Sequence, residues 1–214
     1  AGKTVGITAN SHKVIRNLLD AVGKAAVEMR IDVNCIQKPS DIGPDQPNLR
    51  FAKDNAGLLG AIGNGSQVAG ATSWLWASPD AERTVDVLFI DEAAQMSLAN
   101  VIAVSQAANS IVLLGDPQQL EQPMQGSHPE GTDVSALHHI LDGQQTVSED
   151  RGLFLAETWR LHPDICRFTS ELFYQGRLHP RPNLKVQDIC SSGRIRGTGL
   201  RYLPVPTQGN QSSS

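Results

Sequence analysis

Only three cysteines, Cys35, Cys166 and Cys190, occur in the 214 residues. The number is odd, the spacing wide and no C-x-x-C is present, which argues against a disulfide framework or a zinc knuckle. No apolar run nears the roughly 18 residues that a membrane-spanning helix needs, and no apolar signal segment opens the chain. No repeat period organises the 19 glycines and 12 prolines, so collagen-like and solenoid architectures are excluded. His128, His138, His139 and His179 lack metal-ligand spacing with nearby Cys or carboxylates. The expectation is a cytoplasmic protein, or a piece cut from one, with no membrane partner.

What is present is 40% hydrophobic and 19% charged, enough to bury a core and too apolar for a disordered chain. The length suits one full domain and part of another. The net charge of −4 hides an asymmetry. Residues 160–201 carry +5, and the remainder carries −9. A basic quarter on an acidic body reads either as a polyanion-facing surface or as a solvated face.

Continuous apolar runs predict strands at Thr4–Ala9, Ile31–Ile36, Val68–Thr72, Val85–Ile90, Ile111–Leu114 and Leu153–Glu157. Helical spacing predicts helices over 12–29, Ser97–Ala108, Asp133–Leu141 and Pro163–Tyr174, the last with Pro at its first position. Residues 38–66 read as a long connection with a short helix around Asn48–Leu59. Phe168, Leu172 and Phe173 read as helix-spaced core. Trp74 and Trp76 read as packing on the sheet, with stacking on a base as the alternative. Asn210–Ser214 reads as a polar tail, a severed loop. Apolar strands alternating with helices define an α/β class: a parallel sheet with helices on both faces. Ligands in such folds bind at the carboxyl ends of the strands.

Four polar clusters fall at those ends. Asp91-Glu92-Ala93-Ala94-Gln95 follows VDVLFI; an acidic pair there suits magnesium and an attacking water, or is a plain strand end. Gly115-Asp116-Pro117-Gln118-Gln119-Leu120 follows IVLL, and the neutral amide of Gln119 suits a γ-phosphate, or the segment is a Pro-containing turn. Glu157-Thr158-Trp159-Arg160-Leu161-His162-Pro163 puts one Arg before a helix, poised for transferring phosphate charge or for a structural salt bridge. Thr8-Ala9-Asn10-Ser11-His12-Lys13 joins a strand to a helix, as a phosphate site or as an ordinary N-cap.

Taken together and in this order, the clusters resemble superfamily 1 helicases, in the branch of nonsense-mediated-decay RNA helicases and replication helicase–nucleases. DEAAQ resembles that family's motif II, GDPQQL its motif III, TWRLHP its Y-R-M-H-P motif and TANSHK its motif Ia. Gly70-Ala71-Thr72 resembles the motif with a G-T-T core. SLANVIAVSQAA, QGSHPEGTDVSALHHIL and FTSELFYQGRL look closest to bacterial members in which the helicase follows a RecB-like nuclease domain. The resemblance covers roughly residues 4–210 and implies a RecA-like P-loop NTPase fold. The domains implied are a first RecA-like domain over 1–152 and the start of a second over 153–214.

The implied activity is ATP hydrolysis coupled to movement on single-stranded nucleic acid, DNA favoured over RNA, with ATP and Mg2+ as cofactors. Asp91 would hold the magnesium through water and Glu92 would activate the hydrolytic water. Gln95 would lie near the γ-phosphate and link ATP to the strand site. Gln119 would sense the γ-phosphate, and Arg160 would reach from the second domain as an arginine finger. Thr8, Asn10, Ser11, His12, Lys13 and Thr72 would lie along the single strand, mostly on phosphates.

One departure is large. The family's P-loop, a Gly-rich turn with Lys-Thr opening a helix, is missing. Ala1-Gly2-Lys3-Thr4 looks like its tail but runs straight into a strand, and it reads as the turn before motif Ia. The chain is therefore expected to be a helicase fragment, truncated at both ends and inactive alone. Two other readings stay open: a P-loop ATPase switch that does not unwind, and a module that only binds nucleic acid.

Overall fold

The computed structural model describes residues 2–39, 48–119, 134–193, 195–202 and 204. Leu120, His128, Asp133 and the Asn210–Ser214 segment lie outside these. The chain divides into two units, Ala1–Gly143 and Gln144–Ser214.

In the first unit, Val5–Thr8 (β1), Cys35–Gln37 (β2), Leu49–Phe51 (β3), Val68–Gly70 (β4), Val85–Ile90 (β5) and Ala108–Leu113 (β6) form one sheet. Its order is β3-β2-β4-β1-β5-β6, and every pairing is parallel. Helices Asn55–Ala61 (α2 in chain order), Ser73–Trp76 (α3), Leu98–Ser105 (α4) and Ala136–Leu141 (α5) complete the α/β layering with His12–Met29 (α1). This is the expected fold class, consistent with a RecA-like helicase domain. Among the described residues, no helix is long and apolar enough to cross a membrane.

Two buried clusters flank the sheet. Ile15 and Leu19 of α1 pack on Ile7, Cys35, Leu49 and Val68. On the other cluster Trp76, Leu88, Ile90, Val101 and Val104 meet. Gly6 sits under Trp76: a Cβ there would meet the indole at 3.1 Å and Leu88 at 2.8 Å. Trp76 Nε1 donates to the carbonyls of Ile7 and Ala71, both at 3.1 Å, so the buried indole is satisfied. Its neighbour Trp74 is 86% exposed, against the expectation that both pack on the sheet.

Several boundaries differ from those read in the sequence. Arg30 closes α1 in the left-handed region at φ 57°, and the next strand begins only at Cys35. Leu49–Phe51 is a strand hidden in the long connection; the helix there starts after Asp54, whose carboxylate accepts from Gly57 N–H at 2.7 Å. Helix α4 ends at Ser105, and Ala108 already belongs to β6. The run Leu153–Glu157 is not a strand. Only Glu157–Thr158 (β7) pairs, in parallel with His179–Pro180 (β8), while Leu153 and Leu155 are exposed. Phe154 instead lies under the Arg177 guanidinium, 4.5 Å from the ring centroid.

Helix Pro163–Phe173 (α6) begins as predicted, with Pro at the first position and His162 Nδ1 accepting from Asp164 N–H at 3.2 Å. Its fully buried side chains are Cys166 and Ser170. Phe168, Leu172 and Phe173 are 47%, 49% and 42% exposed, so they are not the core residues that their spacing suggested.

The thiols give a direct check on burial. All three cysteines are free. Burial, helped by the Asp20 charge, pushes the Cys35 thiol up to about 11, and burial raises Cys166 as well. Cys190 is exposed. Burial leaves both of these thiols less ionised and shielded from solvent, so one thiol per chain should react rapidly with a disulfide reagent at pH 8. Cys190→Ser should abolish that fast phase; a fast phase of two or three thiols would show that the core is open.

Candidate nucleotide and nucleic-acid site

Parallel pairing brings the ends of β1, β4, β5 and β6 to one edge of the first unit. Short hydrogen bonds then tie the loops there. Asp91 N–H donates to the Thr8 carbonyl at 2.9 Å, which fastens the start of the acidic cluster to the end of β1. Leu114 N–H donates to the Ile90 carbonyl, and Ala93 N–H donates to the Leu114 carbonyl, both at 2.8 Å. Gly115 lies so close that a Cβ would stand 3.1 Å from Ala93 N and 3.2 Å from Ala94 N. A side chain there would crowd the two loops, and glycine avoids it.

Asp91 and Glu92 are both half-buried. Glu92 N–H donates to Asp91 Oδ1 at 3.0 Å. Glu92 itself is held at φ 54°, ψ 39°, and its carbonyl accepts from Gln95 N–H at 2.9 Å within a tight 3-10 turn, Ala93–Gln95. A left-handed conformation costs a non-glycine residue about 1–2 kcal/mol. The bonds around it sustain that strain. Asp116 shapes the next loop: its carboxylate accepts from Gln118 N–H at 3.0 Å and its carbonyl from Gln119 N–H at 3.1 Å. The Gln119 side chain is left exposed beyond this turn.

The motif Ia residues separate by burial. Asn10, Ser11 and Lys13 are exposed, and His12 is half-buried. Ser11 caps α1, its hydroxyl oxygen accepting from Val14 N–H at 3.2 Å. Thr8 is fully buried, so it is no part of an exposed row along a strand; among the described residues its Oγ1 has no hydrogen-bond partner, nor has His12 Nδ1. Asn10 Nδ2 donates to Gln95 Oε1 at 3.1 Å, a direct bond between the motif Ia loop and the acidic cluster. Thr72 precedes α3 at the end of β4 and makes no side-chain cap bond.

Gln37, which the sequence reading passed over, is 1% exposed and donates through Nε2 to the His12 carbonyl at 3.0 Å. It pins the first turn of α1. A single polar residue ending the short run Cys35–Gln37 offered no pattern to find it by.

The half-buried Asp91 carboxylate at the carboxyl end of β5 is compatible with magnesium. That ion keeps several waters and needs only one or two carboxylates with phosphate oxygens. Among the described residues no group of three or more His, Cys, Asp or Glu stands together, so a cage made wholly of protein ligands is not what they offer. Lys3 and Thr4 do not fit as a phosphate cradle. Thr4 N–H and Oγ1 donate to Asp86 Oδ2 at 2.8 and 3.1 Å, and those bonds hold Asp86 below the usual aspartate range. Both residues stand at the amino ends of β1 and β5, opposite the edge that carries Asp91. No helix follows Lys3-Thr4.

In the second unit, Arg160 is exposed between two backbone bonds. Its N–H donates to Thr158 Oγ1 at 3.2 Å, and its carbonyl accepts from Gln187 Nε2 at 2.8 Å. Its guanidinium makes no ion pair among the described residues. The basic quarter is partly spent internally. Arg177 donates to Thr146 Oγ1 at 2.7 Å, and Arg181 stacks on Trp159 at 3.5 Å and pairs with Glu157 at 3.7 Å.

No family model matches the chain. It is 29% identical over 121 residues to the mouse protein named 5′-3′ DNA helicase ZGRF1, covering 56% of this chain and 6% of that protein. It is 26% identical over 120 residues to the DNA polymerase alpha-associated DNA helicase A of Schizosaccharomyces pombe, covering 56% of this chain and 17% of that one. It is 31% identical over 105 residues to Helicase sen1 of the same yeast, covering 48% and 6%. The chain thus spans less than a fifth of the length of the curated relatives it matches. These similarities support a relationship to superfamily 1 helicases.

Proposed function

We propose that this chain is the part of an ATP-dependent helicase or translocase that joins ATP hydrolysis to a single-strand track. The observation that carries the reading is the Asn10–Gln95 hydrogen bond, with Asp91 fastened to the end of the same strand. That bond gives a change at the acidic cluster a direct route to the motif Ia loop. Magnesium-bound ATP would supply the γ-phosphoryl group that passes to water, with ADP as the leaving group. Asp91 would hold the ion, and Glu92 would take a proton from the attacking water. Gln119 would read the γ-phosphate, and Arg160 would stabilise charge on the transferring group. Asn10, Ser11, His12 and Lys13, with Thr72, hold phosphates of the strand without choosing sequence.

DNA is favoured over RNA, because two of the relatives are named DNA helicases. The wording of the motifs further suggests a RecB-like nuclease domain in the same parent chain, and free cysteines suit a reducing cytoplasm. The two domains we assign, over 1–152 and from 153 onward, are RecA-like.

The test uses the whole protein that carries this chain. Hydrolysis stimulated by single strands, together with separation of a tailed duplex, is the expected result. Stimulated hydrolysis without separation would favour an ATPase switch, and binding without hydrolysis would leave a binding module. The 214-residue chain alone should turn over no more ATP than its Glu92→Gln variant, since Lys3 and Thr4 make no phosphate cradle. Turnover above that control would overturn our assignment of Lys3-Thr4.

A further inference from the structure

Trp74 and Trp76 lie two positions apart on the single-turn helix α3, nearly opposite each other around its axis. Trp76 is fully buried and doubly hydrogen-bonded to the ends of β1 and β4. That anchor fixes the helix to the sheet and leaves Trp74 outward, 86% exposed. A large indole held in water on an anchored turn is a rigid platform with a free face.

Its location says what the face meets. Strand β4 pairs with β1, with Gly70 opposite Ile7, and Ala71 N–H donates to the Ile7 carbonyl at 3.1 Å. Thr72 follows two residues after Gly70, at the carboxyl end of the strand next to β1, from whose own carboxyl end the motif Ia loop leaves. Thr72 makes no side-chain cap bond at the entry to α3. Exposed Asn10, Ser11 and Lys13 stand on the same edge. Phosphate-binding groups beside a free aromatic face form the combination that holds single strands, charge tracking the backbone and the ring taking a base.

We propose that Trp74 is a base-stacking platform for single-stranded nucleic acid, one strand over from the phosphate contacts of motif Ia. The inference rests on the nucleic-acid reading above and adds the residue that grips a base. Stacking is tolerant of sequence, because every base has a π-face.

The test measures binding of the full 214-residue chain to a labelled oligothymidine and to the same strand made of abasic sites. Trp74→Ala should bind oligothymidine about tenfold more weakly, and Trp74→Phe should stay within about threefold of wild type. The slope of log Kd against log salt should not change in Trp74→Ala, whereas Lys13→Ala should lower it by about one. On the abasic strand, wild type and Trp74→Ala should bind alike. Unchanged far-ultraviolet circular dichroism confirms that the variant folds, as expected for so exposed a side chain.

Equal affinity of wild type and Trp74→Ala for oligothymidine would overturn the proposal and point to a protein-facing role for the indole. A loss that persists on the abasic strand would overturn it too. If wild type shows no salt-dependent binding of either strand, the nucleic-acid reading itself fails. Normal wild-type binding with an unaffected Trp74→Ala defeats the stacking platform alone.

Discussion

Arg160→Ala should lower kcat by on the order of 10³-fold in the whole protein, the low end of what arginine fingers supply, with KM for ATP little changed. The mounting of the residue is the reason. Its backbone is fixed at both ends, by Thr158 Oγ1 and by Gln187 Nε2, and His162 and Pro163 start a helix directly after it. Its charge, by contrast, has no carboxylate among the described residues. An arginine kept for structure would look like Arg181, which lies over Trp159 and beside Glu157. A fixed backbone with an uncommitted guanidinium suits a group that engages only as charge develops on the phosphate. Arg160→Lys should recover little, because a point charge does not reproduce the planar fork. Steady-state kinetics decide it: a change confined to KM would make Arg160 a ground-state contact.

The contrast between these arginines shows where local sequence stops being informative. Both stand in one basic quarter, and only three-dimensional neighbours tell which of them is paired. The same limit explains the tryptophans. Spacing two apart on a helix says that they face different ways, but not which one the sheet covers. Motif Ia was legible as a polar strand-to-helix junction. The burial of Thr8 was not, because it follows from β4 and β5 closing over both sides of β1.

Strand existence was read well where runs are apolar throughout, as in Val85–Ile90, since a strand covered on both faces needs no alternation. Edge position was not readable. Ile111 belongs to such a run, yet β6 is the last strand of the sheet among the described residues, and Ile111 is 38% exposed. Leu49–Phe51 escaped because three residues carry no period. Leu153–Glu157 misled because its apolar residues imitate a strand that lacks a partner beyond Glu157–Thr158. The regular spacing of Phe168, Leu172 and Phe173 described a helix face correctly and its burial wrongly, since a face is buried only where something lies against it.

Glu92→Gln should reduce ATP hydrolysis by about 10²-fold or more in the whole protein while ATP binding survives. Glutamine keeps the size and most of the hydrogen bonding but cannot take the proton of the attacking water. The backbone makes this substitution a clean one. Glu92 sits at φ 54° because its N–H is bound to Asp91 Oδ1 and the next residue's N–H to the Leu114 carbonyl. Neither bond uses the Glu92 side chain, so glutamine inherits the same turn with the same strain, and the melting temperature should not move. Glu92→Gly supplies the complementary arm. It relieves a left-handed conformation worth about 1–2 kcal/mol, offset in part by the greater freedom of glycine in the unfolded chain. It should therefore fold at least as stably as wild type and hydrolyse no better than Glu92→Gln. Loss of activity without loss of stability in both variants would place the chemistry on the carboxylate. Near-normal turnover in Glu92→Gln would remove Glu92 from the reaction and leave its strained backbone as a feature of the turn alone.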